Sequence, residues 1–531
     1  MNTNIDRIKT FIEQKYKIIV CIFFIVFLIV GISIVKDYGI GIDETSHRGN
    51  GLRSVAYVME GDQSIFDYDI RYYGPVFEIL LIIIEKIFNL TNNLSALYLM
   101  RHLVTFLLFY TSVFFFYKLC KCKFDSWKFG LLGSLFLILS PRIFADSFYN
   151  STDIPFLSMF IISIYTLIQY LNKKTLLNAI THAIVCALLI DIRIMGIIVP
   201  FFTLIFLITD MLIKKSKEVN NKKVIFSFGI YLCLMISLII LFWPTLWRDP
   251  FNEFVKSFQL LSRYPWESSS LYLGSYIQGT TPWHYTPIWI LISTPILYSA
   301  LFLIGCFVIL KMLLKNPRQF YLDRREDIIF LLWFFLPLIV VVISKSVLYC
   351  AWRHMFFIYP AFLIFSLIGL DYSFKFIKRK FKAVGLKIFN SLLILIVVFS
   401  LINITYFMVK YRPYQNVYFN ILAGKNMSEV KNNFELDYWG LSYRKALEYI
   451  LINDKDKIIK IYTTTSPGVP LYSALILKPE ERNRLDYVEN PDEAKYFLSN
   501  YRLHKDEFPY VNEYYSIKIG GAKIMVVYKL Q

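Results

Sequence analysis

The chain has 531 residues, of which 56% are hydrophobic and 18% charged, and its formal net charge is +18. Soluble domains usually contain about 25% charged residues, so this composition excludes an ordinary soluble enzyme and indicates a membrane protein.

Eleven apolar segments approach the length of about 20 residues that a helix needs to cross a bilayer. The first is too long for a cleaved signal peptide, so we expect it to be a retained anchor. In chain order the segments are residues 18–36, 97–118, 129–142, 153–171, 176–191, 194–213, 224–243, 285–310, 328–345, 352–371 and 388–408.

A twelfth apolar segment, YGPVFEILLIIIEKIFNL (73–90), is judged by the charge of the connecting loops. Without it, every Lys- and Arg-rich cluster falls on one side of the membrane, which positive loops mark as cytoplasmic. The excess of basic residues therefore reflects the membrane topology and gives no reason to expect a nucleic-acid partner. Glu78, Glu85 and Lys86 at helical spacing instead predict an amphipathic helix in the outer interface.

The resulting map predicts a multi-pass protein of the plasma membrane with a cytoplasmic N-terminus. It divides the chain into a transmembrane domain (1–410), with outer loops at 36–96, 143–152 and 244–284, and an extracytoplasmic tail (411–531). Charges of both signs mix in the tail. KIIKIYTT, AKYFLSN and YYSIKIGGAKIMVVYKL read as strands and SYRKALEYILI as a helix, so we expect an α/β domain there.

Two pairs of acids lie in the predicted outer loops. Asp43 and Glu44 follow the first span, and a carboxylate in a partly desolvated pocket can accept a proton from an attacking hydroxyl. Asp146 and Asp153 form the second pair. Both Asp43 and Asp153 also suit the N-cap of a following helix, and the residue types alone leave the catalytic and capping interpretations open.

Arginines are unusually frequent on the predicted outer side, which topology normally leaves poor in positive charge. Some can reach lipid phosphates as interfacial side chains, whereas a cluster that faces a pocket would hold a phosphorylated lipid. His47, His284 and His354 lie outside too, without metal-ligand spacing, and the sequence predicts no metal site. The arginines are Arg71, Arg101, Arg142, Arg193, Arg248, Arg263 and Arg353.

Several motifs together resemble the bacterial branch of glycosyltransferase family 39. This family includes relatives of protein O-mannosyltransferases and lipid A aminoarabinose transferases, and its membrane fold is called GT-C. The resemblance covers residues 15 to 410, where the order and topology of the motifs agree. The motifs are IDETSHRGNG, YYGP, SPRIFADSFYNSTDIPF, IRIMG, FWPTLWRDP, TPWHYTPIWILISTP and WRHMFFIYP.

The resemblance implies a GT-C-like bundle of about 11 transmembrane helices that transfers one sugar, with inversion, from a polyprenyl-phosphate donor to a hydroxyl. The first acid of the Asp-Glu motif acts as the base in that family, which here is Asp43, with Glu44 as its orienting neighbour. Asp153 matches the acid of the second loop better than Asp146 does. Arg193 and Arg353 match basic positions at the donor phosphate.

One position departs from the pattern of the aminoarabinose transferases. They carry a lysine directly before the proline of the interfacial helix, whereas this chain has Gly74. The departure argues against a lipid A acceptor and against that phosphate contact.

The predicted site therefore has Asp43, Glu44 and Asp153 as catalytic residues. We expect no required cofactor, although the residues leave open a divalent cation near Asp43 and Asp153. The expected partners are the lipid-linked sugar, a hydroxyl-bearing acceptor and membrane lipids. The residues assigned to substrate binding are Arg193, Arg353, Arg101, His354, Asp146, Arg71 and His284.

Three other functions fit parts of the pattern. A polysaccharide polymerase or ligase would share the lipid donor, and a lipid or solute transporter would share the spans. Acids crowded on one face disfavour the transporter, and a noncatalytic scaffold leaves the outer arginines unexplained.

Overall fold

The computed structural model describes residues 2–213, 221–262, 264, 266–464 and 468–531. Helices make up most of the chain before residue 411. They are α1 (Asn2–Ile34), α2 (Glu44–Glu60), α3 (Val76–Ile87), α4 (Leu94–Phe124), α5 (Trp127–Ile138), α6 (Pro141–Tyr149), α7 (Asp153–Asn172), α8 (Leu176–Ile190), α9 (Ile198–Ile213), α10 (Asn221–Phe242), α11 (Pro250–Ser262), α12 (Tyr285–Ser293), α13 (Ile296–Lys315), α14 (Pro317–Ile343), α15 (Tyr359–Lys380) and α16 (Ala383–Lys410).

The predicted multi-pass membrane protein is confirmed. Within the described ranges, nine helices are long and apolar enough to cross a membrane. The other two predicted spans are α5, which continues into α6 across a bend of 70°, and α8, which has only 15 residues. Pro141 lacks a backbone N–H, so the helix of α5 cannot continue unbroken into α6. The segment predicted at 285–310 is likewise divided before Pro295, between α12 and α13.

The predicted outer loops contain ordered elements. The first holds α2 and α3, and the third holds α11 and a hairpin of β1 (Ser270–Tyr272) and β2 (Ser275–Ile277). α3 has 12 residues, too few to cross a bilayer. It buries Glu78 and Glu85 while Leu80 and Ile83 are 46% and 45% exposed, so its acidic face points into the protein.

A close contact of two glycines joins α13 to α15, the helix that follows Arg353. A Cβ on Gly369 would lie 2.0 Å from the carbonyl oxygen of Leu301, and one on Gly305 would lie 2.0 Å from that of Phe365. Small residues let membrane helices approach in this way. The contact holds α15 close against α13.

The tail forms a five-stranded sheet in the order β4-β3-β5-β7-β6. β3 is parallel to β4 and β5, while β7 is antiparallel to β5 and β6. The predicted strands and helix are confirmed, with β6 and β7 joined by a hairpin at Gly520–Gly521, while β4 was not predicted. The elements are α17 (Met427–Asn433), α18 (Ser442–Asn453), β3 (Ile459–Thr463), α19 (Gly468–Ala474), α20 (Pro479–Arg482), β4 (Leu485–Tyr487), β5 (Tyr496–Ser499), β6 (Glu513–Ile519) and β7 (Ala522–Lys529).

Packing does not change at residue 411, where the composition changes. Buried residues of the early tail, from Tyr414 to Leu441, belong to the same hydrophobic cluster as the membrane helices. α18 and the sheet share a separate cluster that includes Leu447, Ile461 and Val527. The first part of the tail is therefore an extension of the helix bundle.

The glycine contact predicts the effect of a methyl group. Gly369→Ala should destabilise the protein by about 1–3 kcal/mol, because the new Cβ meets backbone that cannot rotate away. The free energy of unfolding in detergent measures this. Gly229→Ala in α10 is the matched control, since no described residue beyond its own helical turn lies within 4 Å of its Cβ position. An equal loss in both variants would contradict the close-packing interpretation.

Candidate functional site

Four charged side chains from distant parts of the chain meet at one end of the helix bundle. Arg353 contacts two acids, with Nη2 lying 2.7 Å from Asp43 Oδ2 and Nη1 lying 3.1 Å from Asp153 Oδ2. Arg193 Nη2 lies 2.7 Å from the other Asp153 oxygen, Oδ1. The sequence separations are large, yet the ion pairs form one continuous chain, which we call the acid–arginine chain: Asp43, Arg353, Asp153 and Arg193.

Asp43 lies at the N-cap position of α2, but its side chain does not cap the helix. Its backbone carbonyl accepts from the His47 N–H at 3.1 Å, and no capping bond to the carboxylate forms. The Asp43 side chain is 36% exposed, whereas those of Arg353 and Asp153 are 3% and 2% exposed. Asp43 is therefore the member of the acid–arginine chain that a substrate can most easily reach.

Asn150 joins Asp153 to the other predicted acid, Asp146. Its side-chain nitrogen donates to Asp153 at 2.9 Å and to Asp146 at 3.1 Å, and its oxygen accepts from the backbone N–H of Asp153 at 2.8 Å. Asn150 thus caps the start of α7, which frees the Asp153 carboxylate for the arginines. The Tyr149 hydroxyl donates to the second Asp146 oxygen at 2.6 Å, so Asp146 supports the site from within the protein.

Glu44 is buried and points away from its neighbour Asp43. It accepts from the backbone N–H of Gly41 at 2.6 Å and contacts Nε2 of buried His102 at 3.1 Å. These contacts tie the start of α2 to α4. Because they fix the residue beside Asp43, they are compatible with the predicted orienting role.

Arg101 lies in a second buried group of charges. Its guanidinium donates to Glu78 at 2.5 Å and Glu85 at 3.2 Å, and Arg48 also pairs with Glu85, at 3.0 Å. The Ser151 hydroxyl donates to the remaining Glu78 oxygen at 2.6 Å. Arg101 is thus paired within this second group, and its contacts among the described residues do not include the acid–arginine chain.

The remaining predicted residues lie in other surroundings. Arg71 donates to the Phe66 carbonyl and to the Tyr72 hydroxyl. Nδ1 of His284 shares a hydrogen bond with the Tyr272 hydroxyl, 2.6 Å away. The structure describes no direct contact from either to the acid–arginine chain. The His354 ring packs edge-on against Tyr349, with 4.5 Å between the ring centroids. Arg263 lies outside the described residues.

Aromatic rings cover Arg353. The guanidinium carbon lies 4.7 Å from the Trp439 ring centroid and 5.2 Å from that of Tyr349. Trp439 comes from the tail, at the start of α18, and it also packs against Tyr149 at 5.5 Å between centroids. Sequence reasoning missed both rings, although the aromatic segment FELDYWG was a signal in an otherwise polar tail.

His47 is a further neighbour of the site. It is buried against Tyr73 with 5.3 Å between ring centroids. Burial is the largest influence and lowers its pKa, although the negative charges of Glu78 and Asp43 oppose this shift. The imidazole is therefore neutral at pH 7, with one nitrogen that donates a hydrogen bond and one that accepts.

Gly74, the position that departs from the family pattern, is packed against the turn that carries Arg193. A Cβ at Gly74 would lie 1.8 Å from the carbonyl oxygen of Asp191. No side chain fits there without moving one of the two backbones. The absence of lysine thus has a local physical reason in this chain.

The acid–arginine chain occupies the place where a metal ion would have to bind. Over the ranges that the structure covers, no group of three or more His, Cys, Asp or Glu side chains could hold a metal ion. One carboxylate oxygen of Asp43 and one of Asp153 already pair with the Arg353 guanidinium, which lies between the two acids. A divalent cation at this place would have to displace the arginine.

The shared carboxylate of Asp153 predicts a strong dependence of stability on its charge. Asp153→Asn should destabilise the protein by about 3–5 kcal/mol, because it leaves a buried arginine charge uncompensated. Adding Arg193→Gln should recover part of the loss. Unfolding free energies of both variants measure this, with Asp37→Asn as the control. Asp37 pairs with Arg412 at the surface, where loss of a pair costs at most about 1 kcal/mol. A double variant no better than the single one would contradict the charge argument.

Comparison with known proteins shows a likeness in fold. No family model and no curated protein sequence matches the chain. The crystal structure of ArnT from Cupriavidus metallidurans in the apo state matches 96% of this chain and 97% of its own, at 11% identity and a TM-score of 0.50. The same protein bound to undecaprenyl phosphate matches over the same shares at 12% identity and a TM-score of 0.47. The chain therefore has the fold of ArnT, which confirms the predicted GT-C-like architecture.

Proposed function

We propose that this protein is a membrane glycosyltransferase that moves one sugar from a polyprenyl-phosphate donor to a hydroxyl acceptor, with inversion. The observation that carries the proposal is the acid–arginine chain, in which a partly exposed carboxylate lies against an arginine that also holds a buried acid. The predicted GT-C fold and the motifs of the first two outer loops support the same reaction class.

Asp43 is the proposed base. Its carboxylate is 36% exposed beside Arg353, and a positioned carboxylate can accept a proton from an attacking hydroxyl. As the acceptor oxygen attacks the anomeric carbon, its proton passes to Asp43. Inversion follows because the attack comes from the face opposite the phosphate.

Arg353 and Arg193 are the proposed phosphate ligands. A guanidinium carries five N–H donors, and the ion pairs with the two acids use only some of them. The Nε atoms of both arginines are buried and make no hydrogen bond to any residue that the structure describes. These donors are available to an anion while the acids stay paired.

The same arginines would stabilise the leaving group. When the bond from the anomeric carbon to the phosphate oxygen breaks, its electron pair stays on that oxygen. The phosphodiester becomes a monoester and gains one negative charge, which positive groups fixed in place stabilise most strongly in a site that excludes water. Trp439 and Tyr349 cover Arg353 and help to exclude water there.

The lipid part of the donor explains why the site lies at a helix-bundle end. A polyprenyl chain that stays among the helices avoids the cost of entering water, about 0.8 kcal/mol per CH₂. We place this end, with the tail, on the extracytoplasmic face, because the basic clusters lie at the other ends of the spans.

Asp43→Asn tests the base. The variant should stay folded, because Asp153 still pairs with Arg353 and Asp43 is partly exposed, and it should lose about 10²–10⁴-fold in transfer rate, the usual contribution of a positioned acid–base group. The measurement uses purified protein and a panel of radiolabelled polyprenyl-phosphate sugars. Asp37→Asn, another acid paired with an arginine near the end of α1, should keep full activity. Near-normal transfer by Asp43→Asn would show that Asp43 is not the base.

The mass of the product separates the reaction classes. One added hexose or pentose per acceptor agrees with the proposal. A ladder of masses would indicate a polymerase or ligase, and unmodified substrate carried across a vesicle would indicate a transporter.

Cysteine labelling tests the orientation. In a background without native cysteines, Ser269→Cys should react with an impermeant maleimide on intact cells, because the predicted loop 244–284 faces outward. Lys173→Cys, in a predicted cytoplasmic turn, should react only after permeabilisation. The reverse pattern would refute the predicted topology.

A further inference from the structure

A polar cavity of about 320 Å³ lies at the end of the helix bundle opposite the acid–arginine chain. It is formed where α4 and α7 end and where α14 bends, and the 20-residue length of α7 places it about 30 Å from Asp153. Its volume falls within the range of small-molecule sites, about 300–1,000 Å³. The lining residues that matter for its chemistry are Lys123, Leu322, Asp323, Arg324, Arg325 and Glu326.

Buried ion pairs form the floor of this cavity. Asp210, in the last turn of α9, is fully buried and pairs with Arg325 at 2.7 Å and with Lys174 at 2.8 Å. Asp327, in α14, is also fully buried and pairs with Lys123. Each of these three cations therefore already has an acid. The contacts join α4, α9 and α14, so the floor is a fixed polar surface.

The three charges at the rim of the cavity, Asp323, Arg324 and Glu326, have few partners. The closest acid to Arg324 is Asp327, whose Oδ2 lies 3.5 Å from Nη1, beyond the usual N–H···O distance of about 2.7–3.2 Å. Asp323 accepts from the neutral amide of Gln319, at 2.9 Å and 3.0 Å. Asp323 and Glu326 form no ion pair with a residue that the structure describes. The rim thus offers one guanidinium and two carboxylates to a ligand.

The bend in α14 brings these charges to one cavity. The backbone leaves the helical conformation at Arg324, with φ −141° and ψ 36°. In an unbroken helix, neighbours such as Asp323 and Arg324 do not face the same side. At the bend, the whole segment LDRRED up to Glu326 contributes side chains to the same lining. The irregular turn is therefore what assembles the mixed-charge rim.

Exposed leucines beside the cavity indicate that its ligand comes from the membrane. Leu322, in the lining, is 45% exposed, and Leu212, two residues after Asp210, is 80% exposed. The helices that meet here, α4, α7, α9 and α14, are all long and apolar enough to span a bilayer. Charged pockets between the ends of membrane helices bind lipid headgroups. The leucines offer the apolar surface that lipid chains need and that a soluble phosphate compound does not.

We propose that this cavity binds the headgroup of a phosphoethanolamine lipid, with Arg324 holding the phosphodiester and Asp323 and Glu326 holding the primary ammonium. The headgroup matches the rim in charge, because a primary ammonium has three N–H donors for two carboxylates. A choline headgroup has no N–H donor, and a glycerol headgroup brings no positive charge to the acids. In the predicted topology this lipid belongs to the cytoplasmic leaflet, and the assignment does not depend on the proposed sugar transfer.

Native mass spectrometry of the full-length protein tests the preference. Protein stripped of lipid in detergent receives equal amounts of phosphatidylethanolamine, phosphatidylcholine and phosphatidylglycerol with the same acyl chains. We expect about fivefold more retained phosphatidylethanolamine than either of the other lipids. Equal retention of the three lipids, or a preference for one of the other two, would overturn the proposal.

Variants of the arginine locate the binding. Arg324→Gln should lower the preference for phosphatidylethanolamine at least threefold, and Arg324→Lys should restore part of it. The variant should stay folded, because the Arg324 side chain is 43% exposed, and its melting temperature checks this. Arg318→Gln, exposed in the first turn of the same helix and outside the cavity, is the matched control. An unchanged preference in folded Arg324→Gln would overturn the proposal.

Two further measurements separate the parts of the ligand. Asp323→Asn combined with Glu326→Gln should lower retention of phosphatidylethanolamine to that of phosphatidylcholine, whose own retention should not change. A full preference in this double variant would refute the ammonium contact. Glycerophosphoethanolamine, the headgroup without its chains, should displace little of the bound lipid at equal concentration. Complete displacement would show that the cavity binds a soluble phosphate compound and would overturn the lipid assignment.

Discussion

A buried guanidinium needs carboxylates, and the site of this protein is arranged around that need. Arg353 is 3% exposed and takes one oxygen from each of Asp43 and Asp153. Removing such a charge from water costs several kcal/mol unless ion pairs and hydrogen bonds replace the water. The starts of α2, α7 and α15 must therefore stay together, and Arg193 brings the turn after α8 to the same place.

The sequence predicted this arrangement in part. Apolar length and loop charge predicted the spans, because these properties follow from the bilayer alone. Asp43, Asp153, Arg193 and Arg353 were selected from motif order. Their pairing was not visible in the sequence, because an ion pair between residues 43 and 353 depends on how the helices pack.

Other features were out of reach for the same reason. Nothing in the composition of α3 shows that Glu78 and Glu85 face inward to Arg101, since helical periodicity gives a polar face without saying what covers it. In the sequence, Gly74 is notable only because relatives have a lysine there. In the structure, the backbone at Gly74 packs so closely against the Asp191 carbonyl that only glycine fits. Asn150 looked like a loop residue, yet it caps α7 in place of Asp153.

The ring of Trp439 joins two parts of the chain that composition separates. The cover of this site comes from a segment that follows the last described span, so it is in place only once that segment has folded. Until the tail has folded, Arg353 lacks one of its aromatic covers, so the nascent bundle has an unfinished site. Folding of the tail thus becomes a condition for a closed site.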